Sequence, residues 1–184
     1  RSRDLKSEAI EQFRVGFAPD SRNSLKSTLS DRKISEPVLI ECGLLIKPEN
    51  GGETYDRFRN RVTFPIFDQR NRVIAFGARA LGEAQPKYLN SPDTPLFNKR
   101  NVLYGFSNVR SRAIKSGSIA VVEGYMDVIT MVTAGIEAVA PMGTALTENQ
   151  LSLLWRLSPE PVLCFDGDNA GLRAAQRAAE RALP

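Results

Sequence analysis

Carboxylates gather at two places in a chain that contains no histidine. The first is Glu123-Gly-Tyr-Met-Asp127, directly after the apolar run Ser118-Ile-Ala-Val-Val122. The second is Asp166-Gly-Asp168, directly after Pro161-Val-Leu-Cys-Phe165. Crowded carboxylates raise one another's pKa values unless a cation neutralises them. Oxygen donors without His or paired Cys favour Mg²⁺ or Mn²⁺ over zinc. Glu123, Asp166 and Asp168 are therefore the candidate metal ligands. A lone Asp-Gly-Asp is often only a turn, and Glu123 at the end of a second apolar run is what turns the reading toward metal. Asp127 is open between capping the helix that follows and reaching the same site. The absence of histidine excludes histidine general bases, Ser-His-Asp or Cys-His nucleophile systems and histidine-ligated zinc.

Strands must carry these acids to one place. Residues 118–122 and 161–165 are short, continuously apolar runs, typical of strands buried on both faces, and Ile136–Ala140 is a third. Helical patterns over 124–134, from Thr147 to Leu157 and over Ala170–Leu183 separate and follow them. Thr147-Glu-Asn-Gln150 predicts a capping box at the start of the second helix. The order β-α-β-α-β-α predicts a mostly parallel sheet with helices on its faces. Ligands of such sheets bind beyond the carboxyl ends of the strands, so Glu123, Asp166 and Asp168 are expected to converge on one edge.

The part before residue 116 has a different character. Apolar spacing predicts short helices from Leu5 to Phe13, Ser21 to Leu29 and Glu36 to Leu45, with a short strand ending before Pro19. Val62, Phe64 and Ile66 alternate, as do Val73, Ala75 and Gly77, around the polar turn Asp68-Gln-Arg-Asn71, which predicts a hairpin with Pro65 at an edge or a bulge. Gln85–Pro92 fits no regular element. Residues 55–115 carry twelve basic and four acidic side chains, whereas 116–184 carry four basic and eight acidic. That asymmetry suggests a polyanion-binding surface joined to an acidic site, although solvated charge gives the same count. Arg57, Arg59 and Arg61 alternate with Phe58 and Asn60, so an extended backbone would place three guanidiniums on one face. Arg79 follows the hairpin, Lys87 and Lys99 flank the Pro/Asn-rich stretch, and Tyr88 is open between stacking on a base and packing. Arg70 and Arg72, at the hairpin turn, read as solvated charge. The expected organisation is a basic α+β subdomain over residues 1–116 followed by an α/β subdomain over 117–184.

Length and composition agree with a globular protein: 184 residues, 42% hydrophobic, net charge +4. No apolar run approaches the ~18 residues of a membrane span, and the opening residues lack the apolar core of a signal peptide. Cys42 and Cys164 stand singly in apolar stretches, which predicts reduced core residues and a cytoplasmic location. The chain opens in one helical pattern and stops in another, as a piece of a longer protein would.

Glu123-Gly-Tyr-Met-Asp-Val128 with Asp166-Gly-Asp-Asn-Ala-Gly171 resembles the Toprim signature of primases, topoisomerases and some nucleases. Gly143-Thr-Ala-Leu-Thr147 resembles the primase version, as do Tyr55–Ile66, Pro86-Lys-Tyr-Leu-Asn-Ser-Pro92 and Leu103-Tyr-Gly105. The motifs cover nearly the whole chain in the order found in the catalytic RNA-polymerase domain of bacterial DNA primases. The resemblance implies a Toprim-type, Rossmann-like parallel sheet behind a smaller mixed α+β basic subdomain. It implies primer synthesis on single-stranded DNA from ribonucleoside triphosphates, with Glu123, Asp166 and Asp168 binding Mg²⁺ or Mn²⁺ and Asp127 as a further acid. Glu123 is open between metal ligand and general base toward the 3′-hydroxyl. Counterparts of Arg57, Arg59, Lys87 and Lys99 contact nucleotide or template in the family.

Further partners implied are the RNA primer, a replicative helicase through a carboxy-terminal domain, and guanosine tetraphosphate. The family's amino-terminal zinc module has no counterpart in these residues, and a further family acid would fall after Pro184. Two rivals stand beside this reading: another Toprim enzyme, a topoisomerase or nuclease, and a non-catalytic module that binds nucleotide or nucleic acid. A topoisomerase would need a nucleophilic tyrosine, and Tyr55, Tyr88, Tyr104 and Tyr125 all lack a convincing setting for one.

Overall fold

The computed structural model describes residues 5–143 and 145–182. Thr144, within the Gly143–Thr147 motif, and Leu183, the last residue of the expected terminal helix, lie outside that range. The chain divides into two compact units. One comprises residues up to Ile66 together with Val73–Phe97; the other comprises Phe67–Arg72 and the residues from Asn98 onward.

The first unit opens with helix α1 (Ser7–Phe13), whose apolar spacing buries Ala9 and Phe13. Strand β1 (Gly16–Ala18) follows, then helices α2 (Ser24–Asp31) and α3 (Glu36–Glu41) and the small strand pair β2 (Leu45–Ile46) and β3 (Tyr55–Asp56). A sheet in the order β1-β4-β5-β6 carries the core, with β4 (Arg61–Phe67), β5 (Val73–Ala80) and β6 (Tyr88–Asn90). Alternation places Phe64 and Ile66 of β4 and Ala75 and Gly77 of β5 in the interior, and towards its end β5 buries its other face as well, through Ala78 and Ala80. The last residue of β4 paired with β1 is Thr63, opposite Gly16. Pro65 thus lies where β1 no longer needs its missing N–H, which reconciles a proline with an inner strand. β6 is a correction: Tyr88–Asn90 lies within the stretch expected to be irregular, and pairs antiparallel with β5, Arg79 opposite Tyr88 and Gly77 opposite Asn90. Three residues set between Pro86-Lys87 and Ser91-Pro92 leave no periodic signal, and their register comes from β5.

In the second unit the hairpin turn is closed by Asp68, whose Oδ1 accepts the N–H groups of Arg70 and Arg72. The Arg72 guanidinium pairs with its Oδ2 at 2.7 Å, so Arg72 is part of the turn and not merely solvated. The sheet runs β10-β8-β9-β7, with β7 (Leu103–Tyr104), β8 (Ala120–Val121), β9 (Ala138–Pro141) and β10 (Val162–Leu163). β10, β8 and β9 are mutually parallel, and β7 adds antiparallel to β9. Helices α4 (Phe106–Ser116), α5 (Tyr125–Thr133), α6 (Glu148–Trp155) and α7 (Asn169–Ala182) alternate with these strands. Val109, Ala113, Val121, Val128, Ile129, Ala138 and Val139 are fully buried. Gly105 opens α4 with φ +81°, and a Cβ there would stand 2.7 Å from Val128 Cγ1 and 3.1 Å from the Ala138 carbonyl oxygen. Only glycine combines that backbone with that contact.

β10 ends its sheet, which corrects two expectations. Val162 is 58% exposed, so the strand is not buried on both faces, and Cys164 beyond it is exposed instead of a core residue. Cys42 is half-buried. Among the described residues, no helix is long and apolar enough to cross a membrane.

Candidate functional site

The acidic half of the candidate site lies wholly in the second unit. β8 and β10 are parallel neighbours, and each leads within three residues to an acid. Their ends are tied together directly: Glu123 Oε1 accepts the Asp166 N–H at 2.9 Å. Gly171 sits on the same spot. A Cβ on it would stand 2.1 Å from the Asp166 carbonyl oxygen and 2.8 Å from Glu123 Oε1. The missing side chain is therefore the space that the meeting acids occupy.

Asp168 does a second job. Its Oδ1 accepts the N–H groups of Ala170 (2.9 Å) and Gly171 (2.8 Å), satisfying two donors that the first turn of α7 would otherwise leave unpaired. Asp127 lies in the first turn of α5, with Oδ2 3.2 Å from where a Cβ on Gly124 would stand. Backbone segments carrying Glu123 and Asp166 converge as expected. The carboxylates, however, do not gather: among the described residues no three acids form a cluster that could hold a metal. By donor type the set suits a hard divalent cation, since every candidate ligand is a carboxylate oxygen.

Lys99 also belongs to the second unit, in the 3-10 turn Lys99–Asn101. The predicted capping box fixes that turn. Thr147 Oγ1 accepts the Gln150 N–H, and Gln150 Oε1 accepts the Thr147 N–H at 3.1 Å. The Gln150 amide, 1% exposed, turns its Nε2 donors to the carbonyls of Lys99 (3.0 Å) and Val102 (2.8 Å). One buried side chain caps α6 and holds the backbone of Lys99.

The basic residues of the first unit are arranged differently from the expected single row. Asn60 has φ +48°, which interrupts the extended run, and the three guanidiniums go separate ways. Arg57 donates Nε and Nη2 to the Asn90 carbonyl at 3.3 and 3.1 Å. Arg59 donates to the Asp56 carbonyl at 2.6 Å and lies over the Tyr55 ring, 4.8 Å from its centroid. Arg22, which no motif or periodicity in the sequence singles out, lies 4.6 Å from the same ring centroid. Arg61 is 6% exposed and donates to the Pro86 carbonyl at 2.8 Å. Burial lowers the pKa of Arg57 and of Arg61, and a guanidinium stays charged regardless.

Arg79 and Lys87, by contrast, share one exposed ring. Their cationic groups stand 5.8 and 6.0 Å from the centroid of Tyr88, which is 43% exposed. Tyr104 and Tyr125 are buried edge to face, centroids 4.7 Å apart, and burial pushes both phenols above their usual range.

A mostly parallel sheet whose neighbouring strands end in Glu123 and Asp166-Gly-Asp168, with a helix packed on the second acid, defines the chain's class: residues 117–184 match the model of the Toprim domain. Residues 1–110 match the model described as the N-terminal domain of the DNA primase catalytic core, and the chain belongs to the DNA primase family. It is 47% identical over 184 residues to the DNA primase of Pseudomonas putida, covering all of this chain and 28% of that protein. The DNA primase of Salmonella typhimurium is 43% identical, with 32% of its length covered. Among solved structures, the E. coli primase catalytic core superposes with a TM-score of 0.90 at 44% identity, covering 99% of this chain and 58% of that one. A DnaG primase catalytic domain bound to single-stranded DNA superposes with a TM-score of 0.89 at 42% identity, covering 98% and 56%. The chain thus spans about three-tenths of the curated relatives it matches.

Proposed function

We propose that this chain carries metal-binding and template-binding parts of a primase that makes short RNA primers on single-stranded DNA. The observation that supports it most is the tie between Glu123 Oε1 and the Asp166 N–H, which joins the two acidic segments at the ends of neighbouring parallel strands. Glu123, Asp166 and Asp168, with Asp127 as a further acid, would hold Mg²⁺ or Mn²⁺. The donor set, carboxylate oxygens alone, fits such an ion. When bound, the cation supplies charge neutralisation at the transferring phosphoryl group and a more acidic attacking hydroxyl.

The chain's own residues bind and orient. Lys87 and Arg79, set over Tyr88, offer phosphate-binding cations beside a ring on which a base can stack. Arg59 and Arg22 both lie over the Tyr55 ring and form a second basic patch, while Lys99 is held by its backbone to α6. In this reading the partners are single-stranded template, ribonucleoside triphosphates and the RNA primer. Guanosine tetraphosphate competes for the same phosphate contacts, and a replicative helicase engages a segment outside this chain. A topoisomerase reading fares worse, because Tyr104 and Tyr125 are buried and the Tyr55 and Tyr88 rings are each engaged by two cationic side chains.

De novo primer synthesis on single-stranded DNA, in a full-length primase carrying this sequence, is the test. Asp166→Ala should abolish it while circular dichroism stays native. Wild-type polymerisation by that variant would remove Asp166 from the metal site.

A further inference from the structure

β6 is a three-residue strand that follows an exposed stretch, Leu81–Lys87, and it carries Tyr88 with Lys87 just before it. One neighbour, β5, holds it through the pairs Arg79–Tyr88, Ala78–Leu89 and Gly77–Asn90, and Ala80 N–H donates to the Lys87 carbonyl at 2.9 Å. So short a strand is held weakly by its ladder alone. Two arginine side chains brace it further, one from the start of β4 and one from the residues before it. Arg57 grips the Asn90 carbonyl at the carboxyl end, and Arg61 grips the Pro86 carbonyl just before Lys87. Arg61 differs from the other basic residues of this unit because its side chain is interior, 6% exposed, in register with Ala18 of β1. A guanidinium so placed has little surface to offer a phosphate. Its planar fork and fixed reach suit it to holding a backbone carbonyl.

We infer that Arg61 is a positioning residue: it makes no contact with nucleic acid and sets the backbone at Pro86 so that Lys87 and Tyr88 are presented to a phosphate and a base. The inference rests on the reading of Lys87 and Tyr88 as template or nucleotide contacts.

Three variants in the full-length protein test it: Arg61→Met, Lys87→Ala/Tyr88→Ala, and the triple combination. Each is measured for affinity to a fluorescent single-stranded oligodeoxynucleotide and for amide exchange at Ala80, whose N–H reports on the Lys87 carbonyl. Loss of one charge-assisted hydrogen bond should speed Ala80 exchange about tenfold in Arg61→Met and weaken oligonucleotide binding by a similar factor. In the background lacking Lys87 and Tyr88 side chains, the same change should weaken binding no further, since interaction through a shared element is non-additive. A full additional loss there would show direct contact and overturn the inference. Unchanged Ala80 exchange would overturn it equally.

If Lys87→Ala/Tyr88→Ala binds DNA normally, the template reading of those two residues fails, while Ala80 exchange still decides whether Arg61 braces the strand. Should Arg61→Met lose protection throughout the unit, Arg61→Lys decides. It keeps the charge and most of the stem but not the fork, so it should restore protection elsewhere and leave Ala80 exchanging faster than in the parent. Parent-like exchange at Ala80 in that variant would overturn the inference.

Discussion

Replacing Gly171 with alanine isolates the acidic half of the site from everything around it. In a helix, alanine is ordinarily preferred to glycine by about 1 kcal/mol. Here the new methyl would stand 2.1 Å from the Asp166 carbonyl oxygen, 2.9 Å from its carbon and 2.8 Å from Glu123 Oε1, where ordinary contact begins beyond 3.4 Å. The Asp166 backbone must therefore retreat by about 1 Å or more, a strain of the overpacking kind that costs about 1–3 kcal/mol and outweighs the propensity gain. The retreat also lengthens the bond between Glu123 and the Asp166 N–H and pulls on Gly171 N–H, which Asp168 accepts. Magnesium requires its donors within a narrow octahedral distance, and a misplacement of ~1 Å costs on the order of 100-fold in rate. The assay is primer synthesis by the full-length enzyme across a Mg²⁺ titration. Gly167→Ala is the control, because a Cβ there meets nothing within 4 Å. Gly171→Ala should lose about 100-fold in rate and need more Mg²⁺, while Gly167→Ala falls by only a few-fold. Parent-like rate and Mg²⁺ dependence in Gly171→Ala would refute the idea that its missing side chain holds the acids in place.

Other outcomes follow from the same structure. Asp56, 2% exposed, accepts the N–H groups of Leu25 (2.7 Å) and Lys26 (3.0 Å) at the start of α2. Asp56→Ala should cost about 2–4 kcal/mol and speed amide exchange over residues 24–27, whereas Asp56→Asn, which keeps an acceptor, costs less. Gln150→Glu exchanges residues that are usually equivalent in a capping box. Here it replaces an N–H₂ that serves two carbonyls with a carboxylate, so urea unfolding followed by Trp155 fluorescence should show a loss of about 3 kcal/mol or more; an unchanged midpoint would refute the double role. Asp68 has its pKa lowered, chiefly by the backbone hydrogen bond at Arg72. A lowered folded-state pKa means its contribution is present above the ordinary Asp range and is lost as pH falls through the folded value. NMR titration should therefore show the Arg70 and Arg72 amides moving only below that range.

How much of this could be read beforehand depended on whether the signal was local. The capping box at Thr147–Gln150 was legible because its partners are three residues apart, and the hairpin was legible because alternation and turn chemistry coincide at Asp68–Asn71. The parallel order of β8, β9 and β10 followed from apolar runs separated by helices. β6 was not legible, since its identity lies in pairing with β5. The expected row of Arg57, Arg59 and Arg61 failed at Asn60, whose left-handed backbone is set by tertiary contacts, including its N–H bond to the Pro19 carbonyl. The exposure of Cys164 depends on β10 being the outermost strand of its sheet, which an apolar run of five residues cannot declare. At the acidic site the residue types were legible and the use of Asp168 as a helix cap was not, because one carboxylate serves either purpose with the same local sequence.

Arg57, Arg59 and Arg61 have one thing in common: each gives its hydrogen bonds to a neutral backbone carbonyl. A carbonyl can fix a guanidinium in space but cannot cancel its charge. The long side chains therefore lose their rotamer freedom when the protein folds, and the positive potential survives intact. A polyanion approaching Arg57 or Arg59 would meet a cation that need not be ordered on arrival or freed from a carboxylate, while the interior Arg61 would act on it only through its field. Association should accordingly be fast, steeply slowed by salt, and carry a small conformational-entropy penalty.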